Sequence, residues 1–312
     1  MVPRLIYPGD TMSLILNWLE SMHADLKITD KCSRKRNYRS TCTVCTNVCK
    51  YEAISCNERT MEIDSQRCNS CGDCIIACPL SAIKGKAVTR EFDHTCLIYS
   101  EAYTPTVKEL LIYKKRGMNA IQIKHNPLNE QWDLVLVGTN RILLQLGEKP
   151  IEIVQKSNEE KLSRRALFSS IQTEGKQLAR SLAPVSWQME EDEWNLTNYY
   201  QEFQFYSVEM DKNKCTLCMA CFSFCPQKVF TFLETAIQLH HEKCVNCTAC
   251  TDICPEEAIR IRSNIKEKSD KVESLNTKKC RDCGQKFSSF QPEKEKCHIC
   301  TNRDSEWLSP FE

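Results

Sequence analysis

The chain is poor in glycine, with 8 in 312 residues. None of them builds the Gly-rich turn that cradles a phosphate, so the chain offers no motif for a flavin or nicotinamide cofactor. Long apolar runs are also missing: nothing approaches the roughly 20 residues that a membrane-spanning helix needs. The first residues, MVPRLIYPGDTMSLILNWLESMH, show no positive region followed by an apolar core and a small-residue cleavage site. Their MSLILNWLESM portion reads as a short amphipathic helix, and the protein is expected in the cytoplasm. Neither sign of charge dominates, since 42 Lys and Arg face 41 Asp and Glu for a formal charge of +1. The six histidines are scattered without the spacing of a catalytic set. With 41% hydrophobic and 27% charged residues, the chain is expected to fold as two or three globular domains.

Cysteine is what the chain has in excess, with 22 residues. Of these, 20 fall into clusters. Disulfide scaffolds are usually short and secreted, whereas cysteines packed this closely chelate metal better than they bridge one another. Three segments share one pattern, C-x2-C-x2-C-x3-C-P: CNSCGDCIIACP from Cys68, CTLCMACFSFCP from Cys215 and CVNCTACTDICP from Cys244. The last two begin 29 residues apart, and the same offset carried back from Cys71, Cys74 and Cys78 lands on Cys42, Cys45 and Cys49. CTVCTNVCK is therefore a fourth copy in register. Its first cysteine is displaced, because Arg39 stands where Cys68 would map and Cys32 is the nearest cysteine upstream. The loop CSRKRNYRSTC can fold out to bring Cys32 back at modest entropic cost. Lys50 replaces the proline that follows the fourth cysteine elsewhere as Pro79, Pro226 and Pro255.

These runs, their period and the strand–turn–strand segments that follow Cys49 and Cys225 resemble bacterial two-cluster [4Fe–4S] ferredoxin domains, present twice, at about residues 30–92 and 203–264. In that family the fourth cysteine of each run serves the neighbouring cluster. The resemblance therefore implies four sites. Cys32, Cys42, Cys45 and Cys78 would hold the first cluster, and Cys49, Cys68, Cys71 and Cys74 the second. Cys215, Cys218, Cys221 and Cys254 would hold the third, and Cys225, Cys244, Cys247 and Cys250 the fourth. At the first site a three-cysteine [3Fe–4S] centre, or completion by Cys56, remains open. Cys56 and Cys96 are otherwise expected as small apolar residues.

Other segments differ in texture. Residues 93–160 alternate apolar strands (CLIYS, AIQI, IEIV) with two helical stretches, the first opened by Thr104-Pro105 with proline at the first helical position, which predicts a small βαβαβ unit. Within 161–202, SRRALFSSIQTEGKQLARSLA at 163–183 reads as a basic amphipathic helix, followed by an acidic, aromatic stretch. Its SRRALF start is similar to the arginine pair of accessory ferredoxins in nitrate reductase systems, although a solvated helix start accounts for it better. Residues 265–279 read as a charged linker. After it, Cys280, Cys283, Cys297 and Cys300 form two CxxC knuckles that resemble a zinc ribbon over 280–312, a closed tetrahedral site for zinc, with iron as the alternative. With an N-terminal helix at 1–29, the expected class is α+β: two dicluster domains flanking a small α/β segment, plus the ribbon.

A cluster held by four cysteines moves one electron and leaves no iron open to substrate. The resemblance thus implies an electron-transfer protein, or a subunit passing electrons within a larger oxidoreductase, with redox proteins as partners. An assembly or redox-sensing factor, or an enzyme with a substrate site in the α/β segment, is the alternative. No nucleic-acid partner and no transmembrane segment are expected. Four clusters and one zinc site would bring the formal charge to about −9, favouring docking on basic surfaces. Lys31, Arg34, Lys35, Arg36 and Arg39 crowd the first cluster, where they would raise its potential, form a patch for an acidic partner, or be merely solvated.

Overall fold

The computed structural model describes residues 26–57, 60–85, 90–124, 126–155 and 194–301. The expected N-terminal helix at 1–29 lies outside them up to residue 25, and its described end forms a strand at Lys27–Ile28; the basic helix at 163–183 and the acidic stretch up to residue 193 also lie outside them. The chain divides into two compact units. One comprises Met1–Lys35, Thr43–Arg141 and Lys149–Trp194; the other comprises Arg36–Cys42, Ile142–Glu148 and Asn195–Glu312.

The first unit contains β1 (Lys27–Ile28), all but the last residue of α1 (Ser33–Arg36), α2 (Val44–Val48), β2 (Ile54–Asn57), β3 (Thr60–Ile63), α3 (Asp73–Ala77) and β4 (Ile83–Lys84). β1 pairs antiparallel with β4, and β2 with β3, so that Cys56 faces Met61 across a hairpin. Ile54 and Met61 are buried while Ser55 and Cys56 are exposed, as expected for strands covered on one face. Next come β5 (Phe92–Asp93), β6 (Cys96–Ile98), α4 (Val107–Lys115), β7 (Ala120–Ile123), α5 (Glu130–Gln145) and β8 (Glu152–Gln155). β6, β7 and β8 are parallel, which gives the expected βαβαβ unit. β5, too short to read from periodicity, adds an antiparallel edge. Leu97 and Ile121 are register partners, and both are fully buried.

Pro105 is not the first helical residue of α4. Thr106 caps the helix instead: its hydroxyl accepts the Glu109 N–H at 3.1 Å, and the Glu109 carboxylate accepts the Thr106 N–H at 3.4 Å. This capping box satisfies two otherwise orphaned donors, which proline at that position could only tolerate. Trp132 on α5 is fully buried, and its indole N–H donates to the Ser100 and Tyr103 carbonyls at 3.2 and 2.7 Å.

The second unit contains α6 (Leu196–Tyr199), β9 (Phe203–Met210), α7 (Ala220–Phe224), β10 (Phe230–Phe232), β11 (Ala236–His240), α8 (Ala249–Ile253), β12 (Ile259–Glu267), β13 (Asp270–Ser274), β14 (Asn276–Lys279), β15 (Lys286–Ser289) and α9 (His298–Thr301). β9 and β12 form an antiparallel ladder from Met210–Ile259 to Phe203–Glu267, bulged between Ser263 and Lys266. β11 lies between β10 and β13. In place of the charged linker expected at 265–279, the chain forms the end of β12, all of β13 and β14. One carboxylate of this segment is deeply enclosed: Glu273 is buried between Lys212 and Lys271, which hold its carboxyl below the usual range despite burial. Val208, Val229, Phe230, Ile237, Leu239, Ile259 and Leu275 form the core, joined by Cys244 and Cys250. The buried His241 accepts the Val208 N–H through Nδ1 at 3.0 Å, and burial lowers its pKa, so the ring is neutral.

Truncating the most deeply buried large side chain tests the packing of the α/β segment. Trp132→Ala is expected to cost about 3–5 kcal/mol, read as a lower urea midpoint by circular dichroism.

Candidate metal centres

Four short helices, α2, α3, α7 and α8, are each five residues long and each end on the fourth cysteine of a run: Cys49, Cys78, Cys225 and Cys254. The backbone after each is the same. The amide three residues on bonds back to the cysteine carbonyl, from Glu52 (3.1 Å), Ser81 (3.4 Å), Lys228 (3.3 Å) and Glu257 (3.3 Å). Those four residues have left-handed φ values of 47°, 47°, 52° and 48°. The turn then aims the following amide at sulfur: Ala53 to Cys49, Ala82 to Cys78, Val229 to Cys225 and Ala258 to Cys254, at 3.3, 3.3, 3.4 and 3.3 Å. Lys50 in place of proline leaves this geometry intact. An N–H donated to sulfur disperses negative charge on a ligating thiolate, a recognised control of cluster potential.

Upstream of these helices, three runs agree and one departs. Ser70, Leu217 and Asn246, two residues after the first cysteine, have φ of 57°, 56° and 54°. Gly72, Met219 and Thr248, one after the second, have φ of 80°, 65° and 59°. Left-handed backbone costs a non-glycine residue roughly 1–2 kcal/mol, so it is retained where the surroundings demand it. In the copy beginning near Cys42, Thr43 has φ −126°, an ordinary value. The tight first turn is absent where the first cysteine is displaced.

Two cavities coincide with two of the sulfur sets. One of about 510 Å³, including its open mouth, is lined by Cys215, Cys218, Cys221 and Cys254, with Leu217, Phe230 and Ile237 on its walls. A second, of about 330 Å³, is lined by Cys49, Cys68, Cys71 and Cys74, beside Tyr51 and Ile63. In each, three cysteines of one run meet the fourth cysteine of another. The thiols press on one another electrostatically. Burial, then repulsion from Cys71, Cys45, Cys68 and Cys49, pushes Cys74 up to about 12. Burial and repulsion from Cys215 and Cys218 likewise take Cys221 to about 12. Cys244, Cys247 and Cys250 are buried, and repulsion from Cys225 adds to burial in raising the pKa of each. Crowded thiols of this kind fit a cationic core that offsets their charge.

Cys32 is linked through Thr29 to the segment that follows Cys78. Its N–H donates to Thr29 O at 3.1 Å, while the Thr29 N–H and hydroxyl donate to Ala82 O at 2.7 and 3.0 Å. Cys56 is exposed on its hairpin and accepts from Arg34 at 3.3 Å. Lys35 donates to Ile28 O at 2.6 Å. Cys96 opens β6, half-buried, and burial raises its pKa.

The sequence reading missed a charged cluster beside the second cavity. Buried Arg90 donates to Glu109 at 2.9 Å and to Asp73 at 2.7 Å, and its guanidinium carbon lies 4.1 Å from the centre of the Tyr103 ring. Burial opposes its charge, but the two carboxylates hold it protonated. Next to Glu109, Lys108 donates to the Cys78 carbonyl at 3.2 Å, and burial brings its ammonium down to about 8 against the attraction of Cys78. The available signal was Asp73 itself, since Ala220 and Ala249 occupy its place in the other full runs.

Cys280, Cys283, Cys297 and Cys300 converge with their sulfurs all within 4.8 Å of one another. Amides of Cys283 and then Cys297 bring Cys280 down to about 6, while sharing with Cys297 and Cys283 takes Cys300 up to about 12. Four sulfurs packed this closely fit the tetrahedral coordination of a single ion. His298, between the last two of these cysteines, is half-buried. His240, Glu242 and Asp270 also converge, but Lys266, Lys268 and Lys271 supply positive charge there, and an ion-pair network accounts for the group.

Residues 207–255 match the family described as a 4Fe-4S dicluster domain, and residues 60–83 match a 4Fe-4S binding domain. An uncharacterized protein of Haemophilus influenzae is 49% identical over 43 residues, 14% of this chain, which in that match spans 24% of the relative. The chain carries 4Fe–4S ferredoxin-type domains. Among the described residues, no helix is long and apolar enough to cross a membrane.

The left-handed turns can be tested by substitution. Asn246→Val should cost at least about 1–2 kcal/mol through backbone strain, seen as a lower unfolding midpoint of the holo-protein, whereas Asn246→Gly should hold or raise it.

Proposed function

We propose that the protein is an electron carrier with four [4Fe–4S] clusters in two ligand-swapped pairs and a structural zinc in its C-terminal ribbon. It works alone or as a subunit of a larger oxidoreductase. The observation that carries this reading is the lining of the two cavities, where each fourth cysteine joins the three of its neighbour. Each cluster, when bound, supplies a one-electron couple and no open coordination site. The chain's residues hold the sulfurs, surround them with apolar side chains and donate amides to them. Cys225, Cys244, Cys247 and Cys250 complete the second pair. Cys32, Cys42, Cys45 and Cys78 complete the first, the link of Cys32 through Thr29 to Ala82, beside Cys78, favouring it over Cys56. The ribbon cysteines take zinc, and the cytoplasm is the setting that keeps such thiols reduced. A holo-protein charge near −9 makes basic surfaces of redox proteins its partners.

Anaerobic purification with metal analysis tests this. About 16 irons and one zinc per chain are expected, and Cys32→Ser should leave about 12, with Cys56→Ser unchanged. Wild-type protein with about 12 irons would overturn the Cys32 assignment. Flavin bands, or turnover without a partner, would overturn the carrier reading.

A further inference from the structure

The α/β segment has no cysteine run, yet the first turn of α4 makes two separate contacts with the first ferredoxin-type region. Lys108 places its ammonium on the Cys78 carbonyl at 3.2 Å. The neighbouring Glu109 is 1% exposed and reaches Asp73 through Arg90. Asp73 is the first residue of α3, the helix that carries Cys74 and ends on Cys78. The two contacts therefore hold both ends of one ligand-bearing helix. They differ in charge balance. Arg90 is enclosed by two carboxylates, so its charge is spent within the cluster, whereas Lys108 faces a neutral carbonyl and adds positive charge at the Cys78 end. A fixed cation beside a ligand favours the reduced, more negative centre, and low-dielectric surroundings make it count for more than in water.

We infer that Lys108 sets the reduction potential of the cluster that Cys78 ligates, with the Asp73–Arg90–Glu109 chain holding α4 in place to do so. Lys108 is thus a positioning and tuning residue, and the α/β segment is the electrostatic half of the first electron-transfer region. This inference rests on the electron-carrier reading above.

The test is an EPR-monitored redox titration of the full holo-protein. Lys108→Gln keeps a donor for the carbonyl and removes the charge. One midpoint should become more negative, with at least a tenfold lower reduced-to-oxidised ratio at the wild-type midpoint, about 59 mV for a one-electron couple. The other midpoints should stay, and Lys108→Arg should restore the wild-type value. Full iron with no midpoint moved in Lys108→Gln would overturn the inference while leaving the carrier reading intact. Equal shifts in Lys108→Gln and Lys108→Arg would also overturn it, since charge would not be the cause. If Lys108→Gln loses iron, the Lys108→Arg titration decides: full iron with a wild-type midpoint supports the role of charge, and a shifted midpoint overturns it. Wild-type protein without reducible Fe–S signals would instead defeat the carrier reading.

Discussion

A backbone amide aimed at the sulfur of each fourth cysteine is the interaction on which the rest of the architecture hangs. Ala53, Ala82, Val229 and Ala258 make that bond, and the left-handed residue before each makes the angle possible. The fourth cysteine turns away from its own run only because the five-residue helix stops on it and the turn follows. Each run can then lend one sulfur to its neighbour, and the hairpins β2–β3 and β10–β11 supply the distance between runs. The chain accepts several non-glycine left-handed residues for this, each costing on the order of 1–3 kcal/mol.

Much of this was legible in the sequence, because ligand spacing is a local property. The offset of 29 residues identified the copy at Cys42–Cys49 although its first cysteine is displaced, and the turn at Glu52 matches its three counterparts. The alternation of apolar segments gave β6, α4, β7, α5 and β8. What escaped depends on partners distant in the chain. β13 is exposed on most of its length and charged, so nothing in its own residues announces pairing with β11. β5 is too short for periodicity, and Thr106 displaced Pro105 at the start of α4 because a hydroxyl can satisfy an amide. Arg90, Glu109 and Lys108 look like surface charges until tertiary packing encloses them, and only Asp73, standing where the other two full runs have alanine, hinted at them.

The two kinds of sulfur site differ in what their geometry can hold. At Cys280, Cys283, Cys297 and Cys300, the sulfurs lie within 4.8 Å of one another and amides are directed at Cys280, a spacing that could hold one ion. Around the runs, two open hollows are each lined by four cysteines, and burial together with mutual repulsion raises the pKa of Cys74 and Cys221 in them. The contrast is between four sulfurs that meet at one point and sulfurs spread around an open hollow with apolar walls.

Ligand swapping between runs is the central claim, and iron counts in a double variant test it most directly. Cys218 and Cys254 belong to different runs but line the same cavity. If they share a cluster, Cys218→Ser combined with Cys254→Ser should lose one cluster, leaving about 12 irons per chain. If each run serves its own cluster, the same protein would lose two and retain about 8.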